Sequence, residues 1–344
     1  MDLGGDDTPG GPANQAGLTT TTTAVDARPT RTGWVSTRSG SVYEGIPRAA
    51  KVPFAVLAQE AGGYRVLDVC NREGWLSADQ VVPGNVLIDR QGFGDAVFVI
   101  DAGHGAPDEG AIGPSGLHEA EVNLDVASRV VELLGRSNDI DWTTGRVMPG
   151  SAVPPAHTVI ATRPSDGPNG GDFEVGLTFR ASLANAVGAD AFVSIHHNSG
   201  PTNRRDTPGS EAYVSAFDTE SQRLGALMLE ELRLSFSRFD AEWSGGNGDG
   251  LIARIGSDGN DYYTVIAVSE VPAVIVEGLY ISSQSQESLA RTDTYRQAYA
   301  EAVYRALVRF VSTADRPDIE VVTQQFDPGG PSRSMDDCVV PTLD

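Results

Sequence analysis

Five histidines stand in the chain, at 104, 118, 157, 196 and 197, and two of these positions could do chemistry. His104 follows the apolar run 97–101 and has Gly103 and Gly105 on either side. Those glycines let the backbone turn sharply and leave room around the imidazole. His196 follows a second apolar run, 191–195. Two imidazoles at two strand ends, with one carboxylate and one open position, make a catalytic zinc arrangement. The carboxylate is expected near one of these strands. Glu119 opens the next predicted helix, and the intervening loop can fold it back over the His104 strand end. A glutamate in a first helical turn also serves the helix dipole, so the conjunction, rather than any one residue, points to a metal. Cysteine chemistry is a poor alternative. Cys70 and Cys338 are too far apart for a paired-cysteine zinc motif. They are either a disulfide tying the C-terminal region to the early region of an exported chain or two separate thiols.

The elements that must position these residues follow from periodicity. Short strands are expected at 97–101, 159–161, 191–195 and 273–276. Helices are expected at 119–134, 179–187, 221–236 and 295–311, where apolar residues recur at helical spacing. Strands alternating with helices imply an α/β fold, a mostly parallel twisted sheet flanked by helices on both faces. Ligands of such sheets sit at the carboxyl ends of the strands, where His104 and His196 fall. Upstream, between 33 and 84, apolar stretches alternate with turn residues at close spacing, which reads as a small β-barrel of four or five strands.

Residues 1–32 are rich in Gly, Thr, Pro and Asp and are expected to be a disordered linker, because they hold too little apolar surface to offset ordering. Residues 85–95 form a short polar link, and 314–344 read as a tail. Hydrophobic residues make up 40% of the chain, within the globular range. The net charge of -22 disfavours nucleic acid and anionic membrane surfaces as partners. No apolar run of the roughly 18 residues that cross a bilayer is present. The start, MDLGGDDTPGGPANQ, lacks the basic and apolar regions of a leader.

Five stretches, taken in order, carry a family resemblance: IDAGHG (100–105), GAIGPSGLHEAEVNLDVA (110–127), FRASLANAVGADAFVSIHHNS (179–199), GSEAYV (209–214) and VPAVIVEGLYISS (271–283). Over roughly 96–312 the chain resembles the zinc-dependent N-acetylmuramoyl-L-alanine amidases of the Amidase_3 type. The resemblance implies one zinc ion held by His104, Glu119 and His196. It places the second histidine ligand on His196 rather than His197. Strand geometry agrees, since successive side chains point to opposite faces. It puts the catalytic glutamate at Glu277, the first charged group after the run 273–276, as general base and then acid. Arg180 matches an arginine that orients a ligand or a substrate carboxylate; a structural salt bridge is an equal reading. The implied reaction cleaves the amide joining N-acetylmuramic acid to L-alanine in peptidoglycan. An extracytoplasmic location is inferred from that substrate, and a monomer is expected. Around 33–85, Gly33-Trp34-Val35 with Arg38, the stretch 62–66 and Gly74-Trp75-Leu76 through Val81 resemble a bacterial SH3-like module, which implies wall-polymer binding or a spacer role.

The chain departs from the family pattern in places. Residues 136–158 and 165–173 are longer than usual, as wall-binding loops or surface decoration. His197 is unusual after the second histidine, and is a contact outside the metal ligands, a substrate contact or simply tolerated. No plugging helix follows GSEAYV, so the site is expected to be open. Tyr280 and Ser283 stand where the family often has Phe and Asn. Two other functions are weighed: a zinc peptidase acting on wall stem peptides, and a non-catalytic wall-binding protein.

Overall fold

The alternation of apolar and turn residues after residue 33 becomes seven short strands: β1 (Gly33–Thr37), β2 (Val42–Tyr43), β3 (Ile46–Pro47), β4 (Pro53–Glu60), β5 (Gly63–Leu67), β6 (Glu73–Ser77) and β7 (Val81–Val86). Five of them form one antiparallel sheet in the order β6-β5-β4-β1-β7, and β2 pairs with β3. Gly62, at φ 84°, supplies the left-handed residue that the tight β4–β5 turn needs. Phe54, Val35, Val66 and Leu76 fill the interior of this sheet, with Tyr43 against Phe54 at 4.8 Å between ring centroids.

This computed structural model describes residues 33–38, 41–44, 46–47, 52–70, 72–86, 92–105, 108–163, 176–200, 203–246 and 248–326. The expected linker over 1–32, the extension 165–173, Cys338 and the tail beyond 326 lie outside the described residues.

The rest of the chain builds β8 (Val97–Ala102), α1 (Glu119–Leu134), β9 (Asn138–Asp141), β10 (Arg146–Pro149), β11 (Thr158–Ala161), α2 (Leu177–Val187), β12 (Ala191–Asn198), β13 (Asn203–Arg205), β14 (Glu211–Val214), α3 (Thr219–Phe236), β15 (Trp243–Gly245), β16 (Leu251–Ile255), α4 (Thr264–Ala267), β17 (Ala273–Tyr280), α5 (Gln284–Ala290), α6 (Asp293–Ser312) and β18 (Val322–Gln325). Seven strands make a mixed sheet in the order β11-β8-β12-β17-β14-β16-β18. β14 and β17 run antiparallel; the other neighbours run parallel.

The strands are apolar on both sides because both faces are covered. Phe98, Ile100, Val193, Ile195, Val274 and Val276 pack with α1, α3 and α6, while Val97, Val99, Phe192, Ala273 and Ile275 pack with α2 and α4. α2 is buried nearly all round because Phe179 and Val187 join the small sheet's Phe54 and Val35 in one cluster. Among the described residues, no helix is long and apolar enough to cross a membrane.

Several elements depart from the sequence reading. β12 and β17 do not stop at Ile195 and Val276. They keep pairing through His196↔Glu277 and, after a bulge, Asn198↔Tyr280, so polar residues continue each strand. GSEAYV contributes β14. The long segment after α1 contains the β9–β10 hairpin, pinned from below by the fully buried Arg305, which donates to Gly145 O and pairs with Glu231 at 2.7 Å. The expected tail is not all tail, because β18 pairs with β16 along the sheet edge. Its polar residues hid it, since an edge strand has little to bury.

Candidate active site

The site grows from one face of the large sheet. Ser194 and Ile275 share a register level beneath, and two residues further on, on the same face, the level is His196, Glu277 and Glu211. Directly opposed residues point to the same side. Thus β12, β17 and β14 raise an imidazole and two carboxylates in a row at the end of the apolar layer.

β8 brings the second imidazole. Ile195 pairs with Ala102, and Gly103 N donates to Ile195 O at 3.0 Å, so the chain leaves β8 beside His196. His104 then adopts φ 62°, a left-handed conformation uncommon for a residue with a side chain. Arg180 holds this turn. Its guanidinium donates to His104 O at 2.7 Å and to Ala102 O at 2.8 Å, and pairs with buried Asp101 at 2.7 Å. Burial alone would raise the Asp101 carboxyl, but Arg180, with the Ser194 and Thr162 hydroxyls, outweighs it and holds it below its ordinary range. Arg180, expected among the catalytic groups, thus lies behind the His104 turn.

Glu119 completes a triad. Its Oε2 lies 3.2 Å from His104 Nε2 and its Oε1 3.0 Å from His196 Nδ1. A donor atom from each of the three residues lies within 4.8 Å of the other two. The carboxylate is fixed from behind: Ala111 N donates to Oε2 at 2.9 Å, and His197 N and Asn123 Nδ2 donate to Oε1 at 3.1 and 3.2 Å. Burial disfavours its charge, but the hydrogen bonds from His104 and His196 dominate and push its pKa far below the usual range. For His104, burial is outweighed by Glu119 and Asp108, which lift it to about 8. The His104 and His196 side chains stay 24% and 19% exposed, so the triad can be reached from solvent.

The residues fit a metal ion. Two imidazoles and a carboxylate are a donor set suited to zinc. Asp108 Oδ2 lies 2.7 Å from His104 Nδ1, which leaves Nε2 to face Glu119; an outer carboxylate of this kind sets ring orientation in metal sites. The cradle also depends on absent side chains. A Cβ at Gly103 would lie 2.1 Å from His196 Nε2, and one at Gly110 would lie 2.6 Å from His104 Cδ2 and 2.8 Å from Glu119 Oε2. Gly103→Ala should therefore displace the His196 ring and weaken any metal binding at the triad by about 10- to 100-fold, the range seen when support of a ligand is lost. Competition against a chelator checks this.

Glu277 stands beside the triad. The residue keeps partial exposure, but its Oε2 is closed off and has no hydrogen-bond partner. A buried carboxyl oxygen without a partner is costly and uncommon. Burial first, then the negative charges of Glu119 and Glu211, raise the Glu277 carboxyl well above its ordinary range. Glu211 contrasts with it, since it is fully engaged: Asn198 Nδ2 and the Tyr213 hydroxyl donate to Oε2 at 2.8 and 2.7 Å, and the Tyr280 hydroxyl and Gly246 N donate to Oε1 at 2.7 and 3.0 Å. Glu211 lies within GSEAYV, where the sequence alone assigns it no role. The available signal was an acidic residue opening an otherwise apolar strand. Asp108 and Asn123, each four residues beyond His104 and Glu119, carry no other mark in the sequence.

His197 faces away. Its ring turns to the opposite side of β12, towards α1 and α6, where burial pushes it down to about 3 and keeps it neutral.

The profile of a family described as N-acetylmuramoyl-L-alanine amidase, Amidase_3, matches residues 98–309, more than half of the chain. The chain belongs to the Amidase_3 family. The N-acetylmuramoyl-L-alanine amidase LytC of Bacillus subtilis is 30% identical over 221 residues, which cover 63% of this chain and 36% of LytC. The chain thus spans little more than a third of that relative. The uncharacterized Bacillus subtilis protein YqiI is 31% identical over 210 residues, covering 60% of this chain and 81% of YqiI. The crystal structure of an N-acetylmuramoyl-L-alanine amidase from Clostridium difficile 630 aligns over 64% of this chain and 100% of that one, at 22% identity and a TM-score of 0.47. The family's matched span holds His104, Glu119, Arg180, His196, Glu211 and Glu277.

Proposed function

We propose that this Amidase_3 chain hydrolyses the amide between N-acetylmuramic acid and L-alanine in peptidoglycan, with one zinc ion held by His104, Glu119 and His196. The observation that carries this reading is the row His196–Glu277 on neighbouring strands, which sets an unpartnered carboxyl oxygen beside a two-histidine, one-glutamate triad. When bound, zinc supplies Lewis acidity, polarising the amide carbonyl and acidifying water.

The chain's own residues do the rest. Glu277 takes the proton of the attacking water and passes it to the departing nitrogen, as general base and then general acid. Its raised pKa suits both halves of that work, because a carboxylate that binds its proton more tightly is the stronger base. Water oxygen joins the lactyl carbonyl carbon, the C–N bond breaks, and the products are a lactyl carboxylate and a peptide with a free L-alanine amine. Arg180 is a positioning residue, acting through the His104 turn. Glu211 anchors Asn198 and Tyr280 beside Glu277.

In this reading residues 33–85 are an SH3-like wall-polymer module and 96–313 the catalytic domain. The five-stranded antiparallel sheet and the exposed Trp75 support the first assignment. The chain acts outside the cytoplasm as a monomer on peptidoglycan. Cys70 is disulfide-bonded, which supports an oxidising compartment.

Digestion of purified peptidoglycan tests the assignment. Intact stem peptides bearing a free L-alanine amine are expected by mass analysis. Cleavage between amino acids would make the chain a peptidase, and wall binding without cleavage would leave only a binding protein. Zinc affinity should also depend on pH. His104, raised to about 8, must lose its proton before it can donate to a metal. Apparent affinity should therefore rise about tenfold per pH unit towards that value, as one competing proton is lost, and level off above it. An affinity flat from pH 6 to 8 would contradict this.

A further inference from the structure

His197 sits at the middle of a buried chain of polar groups that the reaction itself does not use. Asn123 Nδ2 faces two acceptors, Glu119 Oε1 at 3.2 Å and Gly103 O at 3.2 Å. Its Oδ1 therefore faces His197 Nδ1, 2.8 Å away. An acceptor there requires the proton on Nδ1, which leaves Nε2 to accept from the Tyr295 hydroxyl at 3.0 Å. The His197 backbone N–H meanwhile donates to Glu119 Oε1. His197, Asn123 and Tyr295 are 1%, 0% and 0% exposed, so each of these bonds is made away from water.

The chain joins all three segments that bear the triad. Asn123 lies one turn along α1 from Glu119, bonds the carbonyl of the residue preceding His104, and is aimed by the residue following His196. An apolar pair would fill the same space without the desolvation cost of an imidazole and an amide. Keeping them makes sense if they fix an orientation, since support behind a ligating group tunes a metal site.

We propose that Tyr295, His197 and Asn123 form a relay that locks the Glu119 carboxylate in its ligating orientation, with His197 the positioning residue at its centre. The proposal rests on the zinc reading above. It is tested by zinc affinity, measured by chelator competition on folded protein, for wild type, H197A, H197N and Y295F. The expected result is a 10- to 100-fold weaker affinity for H197A. H197N should recover most of the loss, because its amide can donate to Asn123 where Nδ1–H did. Y295F, which removes one hydroxyl, should fall between wild type and H197A. Folded H197A with an affinity within about twofold of wild type, against the 10- to 100-fold expected, reduces His197 to core packing and overturns the relay. So does H197N no better than H197A. If H197A does not fold, Y295F decides: weakened affinity supports the relay and unchanged affinity overturns it. A wild-type chain that takes up no zinc overturns the zinc reading and the relay together, whereas loss of the relay alone leaves wild-type zinc binding intact.

Discussion

Glu277→Gln is expected to lower kcat by about 100- to 10,000-fold, the contribution of a positioned proton-transfer group, while zinc content stays at the wild-type level. Gln keeps the shape and the β17 register with His196 and Glu211 but cannot accept the water's proton. The triad itself is untouched, because Glu119 is held by His104, His196, Asn123 and the His197 and Ala111 backbone N–H groups, and Glu277 is none of them. The neutral amide escapes the burial and the repulsion from Glu119 and Glu211 that disfavour a charge at this position, so the variant should fold at least as well as wild type. Steady-state turnover of a muramyl peptide, with zinc measured on the same sample, gives the answer. Unchanged kcat in a zinc-loaded variant would remove Glu277 from the chemistry.

Glu119→Ala should have the other large effect, abolishing both zinc uptake and turnover. Two imidazoles alone leave the ion without its anionic ligand. The substitution also strands the Ala111 and His197 backbone N–H groups and one N–H of the Asn123 amide, which now converge on Glu119. Each buried donor left unpaired costs about 1–3 kcal/mol, so thermal stability should fall as well. The pairing of effects separates this variant from Glu277→Gln, which should lose activity alone. Metal analysis after dialysis and a thermal melt are the two readouts. A Glu119→Ala chain that retains one zinc would remove Glu119 from the ligand set.

The sheet's interior was legible because burial on both faces makes its strands continuous apolar runs, as at Val97–Ala102. The strand ends were not. At His196 to Asn198 and Glu277 to Tyr280 the residues that face the site break the apolar pattern, although the backbone ladder continues. β14 was hidden for a related reason: Glu211 looks like a surface residue until Asn198, Tyr213, Tyr280 and Gly246 close around it. His104 stood out in the sequence because its flanking glycines mark a turn that needs room. Asp108 and Asn123 did not, because their work depends on how the 104–118 loop and α1 fold back on β8 and β12. Arg180 was recognisable as an arginine with something to hold; that it holds Asp101 and the His104 carbonyl required the folded chain.

The proposed reaction is a zinc-dependent cut at the L-alanine amide. Its most direct test is to strip the chain with a chelator, titrate zinc back, and follow release of peptide with a free L-alanine amine from a muramyl peptide. No release is expected from the stripped chain, with full recovery at one zinc per chain. Full activity in the stripped chain, or release of fragments cut between amino acids, would contradict it.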